Sequence, residues 1–119
     1  MKERIKALTT QLKAEVTFVE QRAVSPSGEY LEGVLQREQL SSCSKLLEQS
    51  LGPPLKKFHE AIAFDPRIQK AVARIGGIRL EQCLFFASGE QNQVGYAALW
   101  PWASNPEKIT IKVGLCELE

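Results

Sequence analysis

The side chains that could carry acid–base chemistry are few. His59 is the single histidine of the 119 residues, and an imidazole can act as a general base near neutral pH. It lies beside Lys56, Lys57 and Glu60, and no serine or cysteine stands at a spacing that implies a nucleophile. We therefore predict that His59 is a surface residue and that the chain has no catalytic group. An enzyme that uses His59 or a cysteine is the weakest alternative.

The three cysteines, Cys43, Cys83 and Cys116, are far apart in the sequence. With His59 they could supply four ligands to zinc, but structural zinc sites usually show close pairs such as C-x₂-C. An odd number of thiols also argues against a disulfide framework. We predict small buried thiols in a reducing, cytoplasmic compartment, with no metal and no cofactor.

A basic stripe is predicted on one helix. Arg67, Lys70 and Arg74 recur at i, i+3 and i+7, so they share one side of that helix. Residues 53–79 hold six basic and two acidic side chains, a local charge of +4, whereas the whole chain carries +1. The stripe could attract an acidic partner, or it could be a solvated helix face. The near-neutral chain gives little attraction to nucleic acid or to an anionic membrane, so neither is a predicted partner.

Both tryptophans lie within residues 96–102. Alternation along a strand places Tyr96 and Trp100 on one face, and Trp102 joins them if the extended path continues past Pro101. The small or aliphatic residues Gly95, Ala97 and Leu99 then share the other face, over which a helix could pass closely. This arrangement would leave the aromatic side as a shallow platform beside Lys112 and Thr110.

The candidate binding residues are Tyr96, Trp100, Trp102, Lys112 and Arg79. Rigid aromatic side chains with polar tips are favoured at interfaces and in ligand pockets, and the two cations add positive charge. The alternative is that the rings fill the core. Because Pro101 cannot donate to a ladder, we expect it at a strand end or a sheet edge.

The aromatic run belongs to a predicted C-terminal meander. Apolar runs at 78–87, 93–100 and 108–115 are separated by turn-rich segments at 88–92 and 104–107. This pattern predicts three antiparallel strands. In the last run apolar residues alternate cleanly with others, so that strand has one buried face.

The N-terminal third predicts a helix followed by a hairpin. Ile5, Leu8 and Leu12 form an apolar stripe on a helix over residues 2–13. Residues 16–24 are rich in β-branched side chains and suit a strand better than a continued helix. A turn at 25–28 then leads to a strand at 30–37. One helix over 29–51 is the alternative, but its apolar residues at 31–35 and 40–51 would face directions about 145° apart.

The middle of the chain predicts two or three helices. A helix over 38–51 ends at Gly52-Pro53-Pro54, which cannot continue it. Residues 55–63 are ambiguous and are expected to form a short helix. A further helix begins with Asp65 as N-cap and Pro66 in the first turn, and ends at Gly76-Gly77.

These elements predict an α+β fold. The N-terminal hairpin and the C-terminal three-stranded meander form an antiparallel sheet that is covered on one face by two to four helices. Residues 1–117 are expected to form a single domain, and Leu118 and Glu119 resemble a cloning remnant. No apolar run approaches the ~20 residues that span a bilayer.

The sequence favours a small non-enzymatic interaction or accessory module. Its partner is an unidentified protein or a second copy of the chain, which would make a homodimer. The alternative is a binding domain for a small anionic ligand, with Arg79 and Lys112 supplying charge beside the tryptophans.

Overall fold

The computed structural model describes residues 1–118, and in this range it contains five strands in one antiparallel sheet and three α-helices. The predicted α+β class, with a hairpin and a meander, is confirmed. The elements are α1 (Lys2–Glu15), β1 (Phe18–Val24), β2 (Leu31–Gln36), α2 (Leu40–Leu51, after a 3₁₀ turn at Arg37–Gln39), α3 (Pro66–Arg74), β3 (Cys83–Ser88), β4 (Gln93–Pro101) and β5 (Lys108–Glu117).

The last strand joins the hairpin to the meander. The strand order is β1-β2-β5-β4-β3, and every neighbouring pair is antiparallel. Val34 of β2 lies opposite Thr110 of β5, and Trp100 of β4 lies opposite Thr110 on the other side. Side chains that alternate along β5 therefore connect the two halves of each sheet face.

Two helices cover the first face of the sheet. Apolar residues of α1 and α2 pack on the inward side chains of all five strands and form the larger core. The helix α1 can approach closely because β4 has glycine there. A Cβ atom at Gly95 would lie 2.6 Å from Met1 Sδ and 2.9 Å from Ile5 Cδ1. The small face of β4 is thus filled by the helix, as the sequence predicts.

The third helix lies on the opposite face. The Asp65 carboxylate accepts a hydrogen bond from the Ile68 main-chain N–H at 3.0 Å, and Pro66 occupies the first turn, so α3 begins as predicted. Val72, Ile75 and Ile78 pack with residues of β3 and β4 in a second core. This core contains no residue of β1 or β2. Within residues 1–118, the second face of those two strands therefore lacks a helical cover.

The segment between α2 and α3 departs from its prediction. No helix forms over residues 55–63; residues 55 and 56 instead pair with the outer edge of β3 at Leu84. Lys56, one of the six basic side chains that the sequence places in residues 53–79, is 1% exposed. Its ammonium group donates to the carbonyl oxygens of Lys57 at 2.8 Å, Leu80 at 2.8 Å and Gln82 at 2.6 Å. These bonds hold residues 80–82 in a loop, which explains why β3 begins at Cys83 and not at Ile78.

At the C-terminus, the Leu118 main-chain N–H donates to the Asn92 carbonyl oxygen at 2.9 Å. Glu119 lies outside the described residues. In the described chain, no helix has both the length and the apolar character needed to cross a bilayer.

The buried ammonium group predicts that the same substitution costs more stability at Lys56 than at its neighbour Lys57. Replacing Lys56 with Met removes three hydrogen bonds, including the buried bond to the Gln82 carbonyl oxygen, and should lower the free energy of unfolding by about 2–3 kcal/mol. Lys57 is exposed, so Lys57→Met should change it by less than about 0.5 kcal/mol. Urea denaturation of both variants measures the difference, and equal stabilities would contradict the role given to Lys56.

Candidate binding surface

The run Trp100-Pro101-Trp102 ends strand β4. Trp100 lies opposite Thr110, and Pro101 lies opposite Ile109. The Trp102 main-chain N–H donates to the Lys108 carbonyl oxygen at 2.9 Å, so the extended path continues one residue beyond the proline. Strand β3 pairs with β4 only as far as Leu99. Pro101 therefore lies beyond the pairing with β3, at a strand end as predicted.

Of the aromatic candidates, Tyr96 is a core residue. It is 4% exposed and belongs to the second core, beneath α3. Its ring also packs on the glycine of the neighbouring strand, since a Cβ atom at Gly114 would lie 2.9 Å from Tyr96 Oη. Burial raises the pKa of the Tyr96 hydroxyl to about 12. The core interpretation that the sequence left open applies to this side chain.

Trp100 lies where α3 ends. The turn after the helix passes directly over the ring, because a Cβ atom at Gly76 would lie 2.9 Å from Trp100 Cη2. The Lys112 ammonium lies 4.9 Å from the ring centroid and donates to the Ile75 carbonyl oxygen at 3.2 Å. A cation at this carbonyl is favourable because the C-terminal end of a helix carries partial negative charge. Lys112 thus ties β5 to the end of the helix.

The Trp100 indole has one unusual property. Its Nε1 atom is buried and makes no hydrogen bond with any residue described. A buried donor without an acceptor costs free energy. The unpartnered N–H of Trp100 therefore lowers the stability of the fold at this position.

Trp102 lies beyond the reach of α3. Its Nε1–H donates to Thr110 Oγ1 at 2.9 Å. Two cations lie against the ring: the Lys108 ammonium is 5.3 Å from the centroid and the Arg22 guanidinium carbon is 5.6 Å from it. These contacts hold a partly exposed indole in one orientation.

Two cavities adjoin at Trp102. The larger, of about 550 Å³, lies between the Gly76-Gly77 turn and the strand end. The smaller, of about 420 Å³, lies on the other side. Pro101, Trp102 and Ala103 line both. We call the lining of these two cavities the Trp102 surface. Its side chains in the larger cavity include Ile78, Arg79, Gln82, Trp100 and Thr110, and in the smaller Arg37, Phe58, His59, Glu81 and Pro106.

The structure brings three of the five candidate residues together on this surface. Trp100, Trp102 and Arg79 line the larger cavity. The Arg79 side chain is exposed and its Nε lies 3.2 Å from Glu81 Oε1. Lys112 and Tyr96 instead line a separate cavity of about 460 Å³ on the far side of the end of α3.

The basic stripe is exposed along α3, as expected. Arg67 Nη2 donates to Asn92 Oδ1 at 3.4 Å, and Arg74 Nη2 donates to the Glu117 carbonyl oxygen at 2.7 Å. These contacts fasten the helix to the ends of β4 and β5. Because Lys56 is buried among carbonyl oxygens, the exposed charge of segment 53–79 is smaller than its sequence indicates.

His59 and the three thiols differ in their exposure. His59 is exposed, with φ of 60°, and across residues 1–118 its imidazole forms no hydrogen bond to another side chain. Burial raises the pKa of Cys43 to about 12 and that of Cys83 to about 11, and it raises the pKa of Cys116 as well. All three are free thiols. No group of three or more His, Cys, Asp or Glu suited to a metal ion occurs in the described part of the chain.

Several residues that line this surface or contact the Trp102 ring have no signal in the sequence. Arg22 reaches Trp102 from the other end of the sheet, and Gln82 becomes a wall only because the Lys56 bonds form the loop that carries it. Alternation along β5 places Thr110 with Lys112 beside the aromatic side, and extending that alternation toward the start of the strand would have added Lys108.

Comparison of the chain with family models, with curated proteins and with solved structures finds no match.

The contact between Gly76 and Trp100 predicts that alanine substitution destabilises the protein more at Gly76 than at Gly77. Gly76 and Gly77 both have positive φ, 114° and 83°, but only Gly76 has a ring against its Cα, and Gly77 has nothing within 4 Å of a built Cβ. Gly76→Ala should therefore lower the free energy of unfolding by about 1–2 kcal/mol more than Gly77→Ala. Thermal or urea unfolding compares the two, and a larger loss for Gly77→Ala is the contrary result.

The two indole N–H groups predict unequal costs for the same substitution. Trp102→Phe removes a hydrogen bond to a buried hydroxyl, whereas Trp100→Phe removes a donor that has no acceptor. Trp102→Phe should therefore destabilise the protein by about 1 kcal/mol more than Trp100→Phe. Chemical denaturation followed by circular dichroism avoids dependence on the altered fluorophores. If Trp100→Phe proves the costlier change, the assignment of the two N–H groups is wrong.

Proposed function

We propose that this chain is a small non-enzymatic interaction module that binds a partner protein, or a second copy of itself, through the Trp102 surface. The observation that supports this most directly is the position of Trp102. A partly exposed, oriented indole lies between two cavities at the place where helical cover of the second face ends. Oriented aromatic side chains beside concave surfaces are frequent anchors of protein interfaces.

The remaining chemistry is consistent with a binding role. The His59 imidazole has no side-chain partner in the described chain, and burial raises the pKa of all three thiols. A general base needs an oriented partner, and a nucleophilic cysteine needs a lowered pKa. The three unpaired cysteines also support the proposal of a reducing, cytoplasmic compartment.

A binding domain for a small anionic ligand is the second candidate. It is favoured by Arg79 at the wall of the larger cavity and by Lys112, whose ammonium lies 3.7 Å from a built Cβ at Gly76. A ligand that binds only the native state raises the melting temperature. A thermal-shift screen of carboxylated and phosphorylated metabolites therefore separates the two candidates: a robust rise favours the anion, and a flat screen favours the module.

The proposed function is tested by panning a random-peptide library on the immobilised protein. We expect enriched peptides that bind the wild-type chain and lose at least about tenfold in affinity on Trp102→Ala, as expected for an interface anchor. Val19→Ala is the matched control, because Val19 is an exposed apolar residue of β1, 49% exposed, and lines neither cavity.

Two results decide against the proposal. One is the absence of any enriched peptide, and the other is enriched peptides that bind Trp102→Ala as well as wild type. Light scattering adds the case of self-association: a dimer that dissociates on Trp102→Ala, but not on Val19→Ala, identifies a second copy as the partner.

A further inference from the structure

Two buried polar side chains of the larger cavity have their oxygen atoms occupied and their donors free. Thr110 Oγ1 accepts from Trp102 Nε1 at 2.9 Å, and Gln82 Oε1 accepts from the Arg79 main-chain N–H at 2.7 Å. Thr110 is 7% exposed and Gln82 6%. The Thr110 hydroxyl proton and the Gln82 amide NH₂ donate to no residue from 1 to 118. Both groups line the larger cavity, where an occupant that brings acceptor oxygens would pair with them.

Two of the four cations near the tryptophans are paired with carboxylates, Arg79 with Glu81 at 3.2 Å and Arg22 with Glu20 at 3.4 Å. Lys112 keeps its charge, because the Ile75 carbonyl oxygen that it contacts at 3.2 Å is neutral. Of the four cations near the tryptophans, only Lys108 is held by a ring alone. Peptide carbonyl oxygens satisfy the free donors without adding charge.

Rings form part of the walls of both cavities. The rings of Trp100, Trp102 and Pro101 line the larger cavity, and those of Phe58 and Pro106 line the smaller. Such walls suit an occupant that also presents rings. An occupant with many N–H groups would find few side-chain acceptors in the larger cavity, since the oxygens of Thr110 and Gln82 are already engaged.

We propose that the Trp102 surface recognises a proline-rich segment of a partner protein in the polyproline II conformation; this inference rests on the proposed function. Such a segment has no internal hydrogen bonds, so its carbonyl oxygens are available, and each proline removes an N–H. It has three residues per turn and rises about 3.1 Å per residue, so rings at i and i+3 lie on one side about 9 Å apart. One ring enters each cavity, and the chain crosses Trp102 between them.

An oligoproline peptide with blocked ends is the direct probe. About ten prolines span about 31 Å, which matches the longer extents of the molecule, 35 and 32 Å. The chain has two tryptophans, and both line the larger cavity. Their emission should therefore change in a saturable manner during titration. A glycine-serine peptide of the same length is the control, and it should give no saturable change.

Two nearly isosteric variants test the donors. Gln82→Glu keeps an acceptor for the Arg79 N–H and removes the NH₂ group, and Thr110→Val removes the hydroxyl. Each should weaken oligoproline binding by about fivefold to tenfold. Thr10→Val is the matched control, because Thr10 is exposed on α1 and bonds only within its own helix; it should leave the affinity unchanged. Thr110→Val also leaves the Trp102 N–H without its acceptor. If Thr110→Val fails to fold for this reason, the binding measured for Gln82→Glu alone decides.

Three outcomes overturn the inference. Oligoproline fails to bind in a saturable manner, or it binds Gln82→Glu and Thr110→Val as tightly as it binds the wild type. The third outcome is that an anion (citrate, oligoglutamate or oligothymidylate) binds more tightly than oligoproline, with a steep salt dependence. If oligoproline fails but library peptides still depend on Trp102, the inference is wrong and the proposed function stands. If no peptide depends on Trp102, both are wrong.

Discussion

Strand β4 places its two rings on one face and Gly95 and Ala97 on the other, and the two cores depend on this division. Gly95 and Ala97 point to the first face, where Met1 and Ile5 approach so closely that a Cβ atom at Gly95 has no room. Tyr96, Ala98 and Trp100 point to the second face and pack under α3. Because side chains alternate strictly along a strand, a shift of register by one residue would place the bulky rings against α1. Because β4 pairs with both β3 and β5, its register also fixes which side chains of these two strands face each core.

The end of α3 determines how much of the second face is covered. Gly76 passes over the Trp100 ring, and the Lys112 ammonium donates to the Ile75 carbonyl oxygen at the end of the helix. The chain then turns away at Gly77 and is held in its loop by the Lys56 ammonium. The helical cover therefore stops at Trp100 and leaves Trp102 beside two cavities. The binding role proposed for this surface follows from that boundary.

Local signals in the sequence were sufficient for most elements. Asp65, Pro66 and the two glycines mark the start and end of α3, and the alternation of β4 places Tyr96 and Trp100 on one face. The side of the sheet that α3 occupies could not be read in this way, since its apolar stripe fits either face. The sequence-based prediction fails most clearly at Lys56. Its burial depends on three carbonyl oxygens, two of them from a loop more than twenty residues away, and nothing in its neighbours indicates that arrangement.

The account is tested most directly by measuring solvent access to each tryptophan separately. In Trp100→Phe the emission comes from Trp102 alone, and in Trp102→Phe it comes from Trp100 alone. Acrylamide is uncharged, so its quenching is independent of the nearby cations. Both indoles are partly exposed, but the Gly76 turn lies over the Trp100 ring. The account therefore predicts a larger Stern–Volmer constant for Trp102 than for Trp100. Equal protection of the two indoles, or greater quenching of Trp100, would contradict the claim that the helical cover ends between them.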